Sequence, residues 1–311
     1  MKVVYGSSNI VKSFKRTVLV VGVFDGLHLG HQALIKKAVN KAKRIKGTSM
    51  LMTFSPHPMQ VLHPNKKLKL MISLDYRLKI IEQLGIDVAI VISFTKAFAH
   101  LTPEKFVDRY LVKKIKPVDV FVGDDFRFGG KRKGTLEYFK EAGSEYGFKV
   151  DTVHPICFDK KHELKISSTD IRSLIADGKL DQASKFLGRP VSFMGKVVKG
   201  AGRGKKIGYP TINVCPKNKI YPPAGVYAVK ILKDKNKHNG MANVGIRPFF
   251  NKNKNDVNIE VNIFDFKENI YGKSVVIEFY KKIREEKTFP TLKRLIDQIK
   301  RDEKKIRPLL K

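Results

Sequence analysis

An apolar run at residues 18–23 leads directly into a turn that carries two glycines and two histidines. The run is too short to span a membrane and is typical of a buried strand. Residues 31–46 then carry apolar side chains at helical spacing, and Gly47 ends that pattern. A buried strand that feeds a helix through a glycine-rich turn favours a parallel sheet with helices on both faces.

The rest of the chain divides into two patterns. Strand and helix signals alternate through the first half, whereas short strands separated by Gly, Pro and Asn turns dominate after about residue 183. The second pattern is typical of an antiparallel barrel or sandwich. We therefore expect an α/β plus mainly β chain, with an α/β domain over residues 1–182 and a mainly β domain over residues 183–311.

The predicted elements are as follows. In the first half we expect strands at 18–23, 49–54, 88–94, 118–122 and 148–153, and helices at 31–46, 74–84 and 103–113. In the second half we expect helices at 168–176, 180–187 and 290–306, and strands at 193–199, 211–214, 226–232, 241–244, 257–264 and 274–280. The polar runs at 233–239 and 252–256 are predicted hairpin loops, and the basic run at 131–133 is a predicted loop.

The charge of the chain favours anionic partners. Lys+Arg is 62 and Asp+Glu is 29, a formal net charge of +33, which suits nucleotides, nucleic acid or a membrane face. Most of the basic residues are lysines, which read bases less well than arginines, so a lysine-biased surface is favoured over a nucleic-acid-binding protein. We expect no membrane partner, and a monomer or weak homo-oligomer.

The cysteines indicate the compartment. Cys157 and Cys215 form neither a disulfide framework nor a zinc cluster. No stretch approaches 18 apolar residues. A reducing, cytoplasmic location is therefore predicted.

The segment GVFDGLHLGH, residues 22–31, is the first candidate site. At a strand-to-helix junction, free backbone N–H groups and the helix dipole favour phosphate, and glycines allow a ligand to approach the backbone. His28 and His31 can both reach an anion placed there and stabilise the charge on a transferred phosphate. The alternative is that they only cap the helix or bind a metal. No nucleophile with a base is present, which favours direct transfer to a bound acceptor.

The segment GAGRGKKIGYPTIN, residues 200–213, is the second candidate site. Its glycines, among them Gly200 and Gly204, free the backbone to surround a phosphate. Thr211 and Asn213 alternate on a predicted strand, so both face the same side and offer hard oxygen ligands suited to Mg²⁺. The segment lacks the Walker pattern, and a mobile hairpin tip is the alternative.

Several motifs together identify a family. HxGH at this junction resembles the nucleotidylyltransferase superfamily, and GVFDGLHLGHQ resembles the bacterial bifunctional riboflavin kinase/FAD synthetase (FMN adenylyltransferase) family. The further motifs that match, in the order of that family, are TFSPHP (53–58), VGDDFRFG (122–129), ISSTDIR (166–172), PTIN (210–213), PAGVY (223–227), ANVGIRP (242–248), EVNIFDF (260–266) and IREEKTF (283–289). The resemblance covers essentially the whole chain.

The resemblance implies a fold and two reactions. An N-terminal Rossmann-like HxGH nucleotidylyltransferase domain would precede a C-terminal Greek-key β-barrel riboflavin kinase domain with a terminal helix. The barrel would phosphorylate riboflavin to FMN with ATP, and the α/β domain would adenylylate FMN to FAD and release pyrophosphate. Mg²⁺ is the implied cofactor, with ATP, riboflavin, FMN and FAD as substrates or products.

The resemblance also implies a role for each matched residue. His28 and His31 would be catalytic in adenylyl transfer, and Glu260 would be the general base of the kinase. The implied ATP-binding residues are Gly22, Phe24, Asp25, Gly30, Ser168, Thr169 and Arg172 for adenylyl transfer, and Gly200, Gly204, Thr211 and Asn213 for the kinase, where Thr211 and Asn213 also hold the metal. The implied flavin-binding residues are Phe54, His57, Pro58, Asp125, Phe126 and Arg284.

The residues themselves leave simpler interpretations open. SSTDIR is equally typical of a helix N-cap with an exposed arginine, and the wall from Phe54 to Pro58 is nearly as well explained by a structural turn. Glu260 lies with Asn258 and Asn262 on the face of its strand opposite Val257, Ile259, Val261 and Ile263, where a carboxylate can accept a proton or sit at the surface. Arg284 could be a solvated surface residue.

Four positions depart from the family pattern. Tyr209, Ile212, Asn262 and Phe249 stand where Phe, Ala, His and Thr are common. Thr211, Asn213 and Glu260 are in place, so these departures bear on kinase efficiency more than on kinase identity. Two other functions remain open: an enzyme that keeps only one activity, and a flavin-responsive regulator that binds RNA through its lysines.

Overall fold

The computed structural model describes residues 1–7, 9–10, 14–66, 68–153, 167–200, 202–216, 220–234, 236–246 and 257–311. These residues form two compact units, one of residues 1–68 and 74–167 and the other of residues 69–73 and 168–311. Cys157, Phe249 and the predicted loop at 252–256 lie outside the described residues. Among the described residues, no helix is both long enough and apolar enough to cross a membrane.

The first unit is a six-stranded parallel sheet with helices. Its strands are β1 (Lys2–Tyr5), β2 (Thr17–Val21), β3 (Ser49–Ser55), β4 (Val88–Ser93), β5 (Pro117–Gly123) and β6 (Lys149–Val153), in the order β1-β4-β3-β2-β5-β6. Its helices are α1 (Leu29–Arg44), α2 (Pro58–Leu62), α3 (Leu74–Gln83), α4 (Lys96–Ala99), α5 (Pro103–Phe106) and α6 (Leu136–Tyr146), with a π-helix at Val107–Ile115 and 3₁₀ turns at Pro64–Lys66 and Gly130–Arg132.

The strand order of the parallel sheet reverses at its centre, beside β2. β2 is buried along its whole length, as expected for a central parallel strand covered on both faces. The chain runs outward from β2 through β3 and β4 and then returns to its other side with β5. Ligands of such sheets bind outside the carboxyl ends of the strands where the order reverses, which here is between β2 and β5.

The second unit is a closed antiparallel barrel. It begins with α7 (Ser168–Ala176) and α8 (Leu180–Leu187), and its other elements are β7 (Val191–Val198), α9 (Arg203–Lys206), β8 (Ile212–Pro216), β9 (Gly225–Lys233), β10 (Asn236–Ile246), β11 (Val257–Ile263), β12 (Ser274–Arg284) and α10 (Leu292–Leu309). The strand order around the barrel is β10-β11-β8-β7-β12-β9. β8 lies beside β11 rather than beside β9, which is the Greek-key feature that the resemblance implies.

Both predicted fold types are confirmed, with local differences. β1 and α6 were not predicted. The hairpin loop predicted at 233–239 is wrong, because Asn236 already pairs with Lys233. The strands β9 and β10 continue through polar residues at this exposed end. α8 packs on β7 and β12, and the domain boundary after residue 182 stays a prediction.

Candidate active sites

The carboxyl edge of the parallel sheet gathers the first set of predicted residues. Val20 of β2 pairs with Phe121 of β5, so the segments that follow these two strands start side by side. The 22–31 turn follows β2, and Asp125 and Phe126 follow β5. The fold therefore brings the HxGH segment and the VGDDFRFG segment to the switch point.

The backbone of the turn is held in an unusual conformation by burial. Phe24 and Leu27 both have a positive φ, +57° and +48°, a region that costs free energy for residues other than glycine. Both side chains are buried in the core, so packing fixes the strained turn. The turn is therefore a rigid platform for the two histidines that follow.

The two histidines form a stacked pair at the start of α1. Their ring centroids lie 3.7 Å apart with the planes 24° from parallel, and the ring of Phe24 meets His31 edge-on at 5.3 Å. The ring of His28 packs closely over Gly30, where an added Cβ would lie 3.3 Å from the ring. His28 occupies the N-cap position but its side chain makes no capping hydrogen bond, so capping does not account for His28.

The surroundings keep His31 neutral. Burial, the neighbouring His28 and the guanidinium of Arg77 together hold the pKa of His31 well below its ordinary value of 6.5. Its Nδ1 is buried and has no hydrogen-bond partner within the described part of the chain. A neutral imidazole can donate one hydrogen bond to an anion and accept another.

Arg77, on α3, is a residue of this site that sequence reasoning missed. Its Nη1 donates to the carbonyl oxygen of Val23 at 2.6 Å and its Nη2 to that of Phe54 at 3.1 Å. The side chain is only 7% exposed, and burial lowers the pKa of Arg77 to about 10 against the opposing effect of Asp25. The guanidinium stays charged and ties the ends of β2 and β3 together. A lone arginine in an amphipathic helix gives no sequence signal of such a role.

Asp25 is buried beneath the turn. It is 4% exposed, and its charge favours the protonated guanidinium of Arg77. The predicted contact of Asp25 with ATP is not tested by this geometry and stays a prediction.

The predicted flavin wall has structural roles of its own. Phe54 is buried in an aromatic cluster with Phe94 and Phe98 at centroid distances of 5.8 and 5.7 Å. His57 caps α2, since its Nδ1 accepts the backbone N–H of Met59, and Pro58 is the first residue of that helix. The turn interpretation is thus supported for His57 and Pro58, and their contact with flavin stays a prediction.

The other two flavin candidates of this unit follow β5. Phe126 is half-buried and stacks on Phe128 at 5.4 Å. Asp125 is exposed. Their contact with flavin also stays a prediction.

Ser168, Thr169 and Arg172 form the start of α7 in the second unit. Arg172 Nη1 donates to Thr169 Oγ1 at 3.4 Å, one helical turn away. Their predicted contact with the ATP of the adenylyl-transfer site is not tested by this local geometry.

Strand register builds the second site. Asn213 of β8 pairs with Glu260 of β11, which pairs in turn with Asn243 of β10. Residues directly opposite on neighbouring strands project to the same face. Ile259 and Val261, on the other face of β11, are fully buried. The side chains of Asn213, Glu260 and Asn243 therefore form a row across β8, β11 and β10, on the face that points away from the barrel core.

Amide groups connect this row. Asn258 Nδ2 donates to Asn213 Oδ1 at 3.2 Å and to Glu260 Oε1 at 3.0 Å. Asn262 Nδ2 donates to the carbonyl oxygen of Pro210 at 2.7 Å. Asn258 and Asn262 are buried although they are polar. The predicted face of β11 is confirmed: Asn258 and Asn262 on it are buried, and Glu260 between them is half-buried.

The glycine-rich loop packs directly on the predicted ligands. A Cβ on Gly200 would lie 1.9 Å from Asn213 Nδ2, and one on Gly204 would lie 3.2 Å from Thr211 Oγ1. A side chain at Gly200 would therefore force the amide of Asn213 to move. The loop and the strand that carries Asn213 are therefore one packed arrangement.

Arg284 is anchored rather than solvated. Its Nε donates to Asp302 Oδ2 of α10 at 2.8 Å, and Gln298 Nε2 donates to the other carboxylate oxygen at 2.7 Å. Asp302 is 1% exposed. The interpretation of Arg284 as a solvated surface residue is wrong. Its contact with flavin stays a prediction, and Asp302 is a further residue that sequence reasoning missed.

Comparisons with known proteins give the same division. A family model described as FAD synthetase matches residues 10–170, and one described as riboflavin kinase matches residues 187–310. Two curated proteins named bifunctional riboflavin kinase/FMN adenylyltransferase are similar over nearly their full length. They are from Buchnera aphidicola (37% identity, 97% of this chain and 96% of the relative) and Escherichia coli (35% identity, 97% and 96%).

This chain belongs to the bifunctional riboflavin kinase/FMN adenylyltransferase family. Both enzymatic domains are present, so the family's two reactions are the riboflavin kinase and FMN adenylyltransferase activities of this enzyme. The Bacillus subtilis relative of the same name is 38% identical over 92% of this chain and 90% of its own.

A solved structure shares the complete fold. It is described as a macrolide-efflux protein from Streptococcus pneumoniae, covers 99% of both chains and superposes with a TM-score of 0.84 at 33% identity. That description names a transport role for the Streptococcus protein, and only the likeness of fold applies to this riboflavin kinase/FMN adenylyltransferase.

Proposed function

We propose that the two reactions run at two separate groups of residues, adenylyl transfer at His28 and His31 and phosphorylation at Thr211, Asn213 and Glu260. The observation that supports this proposal is the local grouping of each set. His28 and His31 stack at the start of α1 in the first unit, and Asn213 and Glu260 lie opposite each other on β8 and β11 in the second.

In adenylyl transfer, a phosphate oxygen of FMN attacks the α-phosphorus of ATP. One P–O bond forms to FMN, the P–O bond to the leaving pyrophosphate breaks, and FAD is the product. The imidazole rings of His28 and His31 donate hydrogen bonds to the phosphate oxygens on which negative charge grows. The rigid turn before α1 places both rings in advance, which lowers the entropy cost of reaching the transition state.

In the kinase reaction, Glu260 removes the proton from the ribityl 5′-hydroxyl of riboflavin. The resulting oxygen attacks the γ-phosphorus of ATP, the bond to the β-phosphate oxygen breaks, and FMN and ADP are the products. Glu260 is half-buried within a row of neutral amides. The hydrogen bond from Asn258 Nδ2 holds the carboxylate in position.

The donor atoms of the kinase site fit Mg²⁺. The hydroxyl of Thr211 and the amide oxygen of Asn213 are hard oxygen ligands, the kind that Mg²⁺ prefers. Mg²⁺ usually keeps waters and substrate phosphates as most of its ligands, so two protein oxygens suffice. When bound, it supplies neutralisation of phosphate charge. Binding of Mn²⁺ to the wild-type and Asn213→Ala chains, measured by calorimetry with ADP, checks this assignment apart from activity.

Two single substitutions test the division of labour. The His28→Ala chain, given riboflavin, ATP and Mg²⁺, should accumulate FMN and make little FAD. The Glu260→Gln chain should make FAD from added FMN and almost none from riboflavin. If either folded variant loses both activities equally, the two sites are not separate.

The location and partners of the enzyme are also proposals. The two cysteines and the small-molecule substrates support a cytoplasmic enzyme. We propose a monomer or weak homo-oligomer that acts on ATP, riboflavin and FMN without a nucleic-acid or membrane partner.

A further inference from the structure

We infer that Asn258 is a positioning residue of the kinase site, whose side-chain amide holds the metal-ligand candidate Asn213 and the base candidate Glu260 in a fixed relation. The inference rests on the function proposed for those two residues. Asn258 lies two residues before Glu260 on β11 and is only 6% exposed.

The hydrogen-bonding capacity of Asn258 matches its surroundings. Its Nδ2 carries two hydrogens, and two acceptors stand within reach, Asn213 Oδ1 at 3.2 Å and Glu260 Oε1 at 3.0 Å. One rigid, buried NH₂ group is thus shared between two side chains that belong to different strands. Because buried donors are costly to leave unpaired, this arrangement is strongly preferred over alternatives that break either bond.

The contact with Asn213 decides which end of that amide is presented to a cation. Only the oxygen of an asparagine side chain can ligate a metal, whereas its NH₂ group repels one. The NH₂ group of Asn258 can pair only with the oxygen of the Asn213 amide, so Asn213 Oδ1 faces Asn258 and Asn213 Nδ2 lies against Gly200. Without the Asn258 donor, the Asn213 amide can turn over and present N–H where the proposed metal needs oxygen.

The contact with Glu260 fixes the base. Proton removal requires the carboxylate within hydrogen-bond reach of the riboflavin hydroxyl, so a small rotation of the side chain lowers the rate. The bond from Asn258 to Oε1 limits that rotation. Asn262, two residues beyond Glu260 on the same face, has a different role, because it donates to the carbonyl oxygen of Pro210 and so holds the loop.

The test replaces Asn258 with a side chain of similar size that has no donor. For Asn258→Leu we expect kcat of riboflavin phosphorylation to fall by about tenfold to a hundredfold, the range for loss of a hydrogen bond to a charged group. KM for riboflavin should change by less than about threefold, since the substrate contacts remain. Binding of Mn²⁺ in the presence of ADP, measured by calorimetry, should weaken by about tenfold to a hundredfold, the usual cost of removing a group that orients a metal ligand.

Two controls separate positioning from folding. FMN adenylyltransferase activity of the same chain should be unchanged, because His28 and His31, the residues proposed to act in that reaction, lie in the other unit. Tyr280→Phe is the matched variant: it removes a hydrogen bond from the hydroxyl of Tyr280 to another barrel carboxylate, Glu278 Oε2, at 3.0 Å. It should leave kcat of the kinase and Mn²⁺ binding at the wild-type values.

Each result decides the inference. A folded Asn258→Leu chain with wild-type kcat and wild-type Mn²⁺ binding overturns it, as does an equal loss of both activities together with a lower melting temperature in Asn258→Leu and in the smaller variant Asn258→Ala. A selective loss of kcat and Mn²⁺ binding in either variant supports it. A wild-type chain that makes no FMN would contradict the proposed kinase function itself. An active wild type with an equally active Asn258→Leu variant would contradict only the role of Asn258.

Discussion

At the scale of single residues, close packing at Gly200, in the glycine-rich loop of the proposed kinase site, disfavours any larger residue. Gly200 lies so near the amide of Asn213 that a methyl group cannot be added without moving it. Gly202, two residues away, has a positive φ of +70° but no atom within 4 Å of an added Cβ. A side chain at Gly200 would thus be opposed by close contact, whereas one at Gly202 would be opposed only by the backbone conformation.

Alanine at these two positions tests that distinction. We expect Gly200→Ala to lower kinase activity by about tenfold or more, because the displaced Asn213 is a proposed metal ligand. Gly202→Ala should cost about 1–3 kcal/mol of local backbone strain and affect kinase activity less. Rates of FMN formation from riboflavin check the ranking, and equal losses in both variants would count against the steric account.

The low pKa of His31 predicts a pH dependence of stability. The unfolded chain has a His31 pKa near the ordinary 6.5 and takes up the proton first as the pH falls, because burial, His28 and Arg77 keep the folded form neutral. The stability of the folded state is thus fully present above about pH 7 and falls below 6.5, by up to about 1.4 kcal/mol per pH unit. Urea unfolding of wild type and His31→Gln between pH 8 and pH 5.5 measures this. Parallel curves for the two chains would contradict it.

At the scale of elements, Arg77 joins α3 to the ends of two strands. Arg77→Met removes two charged hydrogen bonds to buried carbonyl oxygens, and we expect the free energy of unfolding of the first unit to fall by about 2–3 kcal/mol. Adenylyl transfer should fall with it, since the turn before α1 loses its support. Arg77→Lys keeps the charge but lacks the fork that spans both oxygens, so its effect should be intermediate.

A surface arginine of the same unit supplies the control for Arg77. Arg127 is exposed and lies 3.9 Å from Glu137, so Arg127→Met should change stability by less than about 1 kcal/mol. Urea unfolding compares the three variants. An Arg77→Met chain as stable as Arg127→Met would show that the buried guanidinium does not hold the strand ends together.

The terminal helix depends on one buried carboxylate. Asp302 of α10 pairs with Arg284 at the end of β12. Asp302→Ala leaves that guanidinium without its partner carboxylate, and we expect a loss of about 3–5 kcal/mol of stability. Asp297→Ala, an exposed position on the same helix, is the control and should have little effect. Similar melting temperatures for the two variants would contradict a structural role for this ion pair.

Helices and strands were predicted correctly where burial leaves a periodic pattern in the sequence. The apolar strands β2 to β5 and the amphipathic helices α1 and α3 were predicted because burial on both faces or on one stripe leaves a periodic signal. β1 was missed because a four-residue edge strand carries almost no period. The start of β10 was missed because its residues, from Asn236, are polar and exposed, and pairing there follows from the neighbouring strand.

At the scale of the whole molecule, the order of the sequence motifs predicted the two activities, whereas the sequence did not reveal the roles of several buried polar residues near the candidate sites. HxGH and PTIN predict from the sequence where the two proposed centres lie. Arg77, Asn258 and Asp302 could not be found in this way, because a polar residue that serves a buried network looks the same in sequence as one that faces solvent. Their roles follow from strand register and helix packing, which join residues far apart in the chain.

The measurement that tests the central claim most directly is a separation of flavins after incubation of the pure wild-type chain with riboflavin, ATP and Mg²⁺. We expect FMN to appear first and FAD to follow it in the same tube, with added FMN also converted to FAD. FMN without FAD would remove the adenylyltransferase half of the account, and FAD from FMN alone would remove the kinase half. No product from either flavin would contradict the account as a whole.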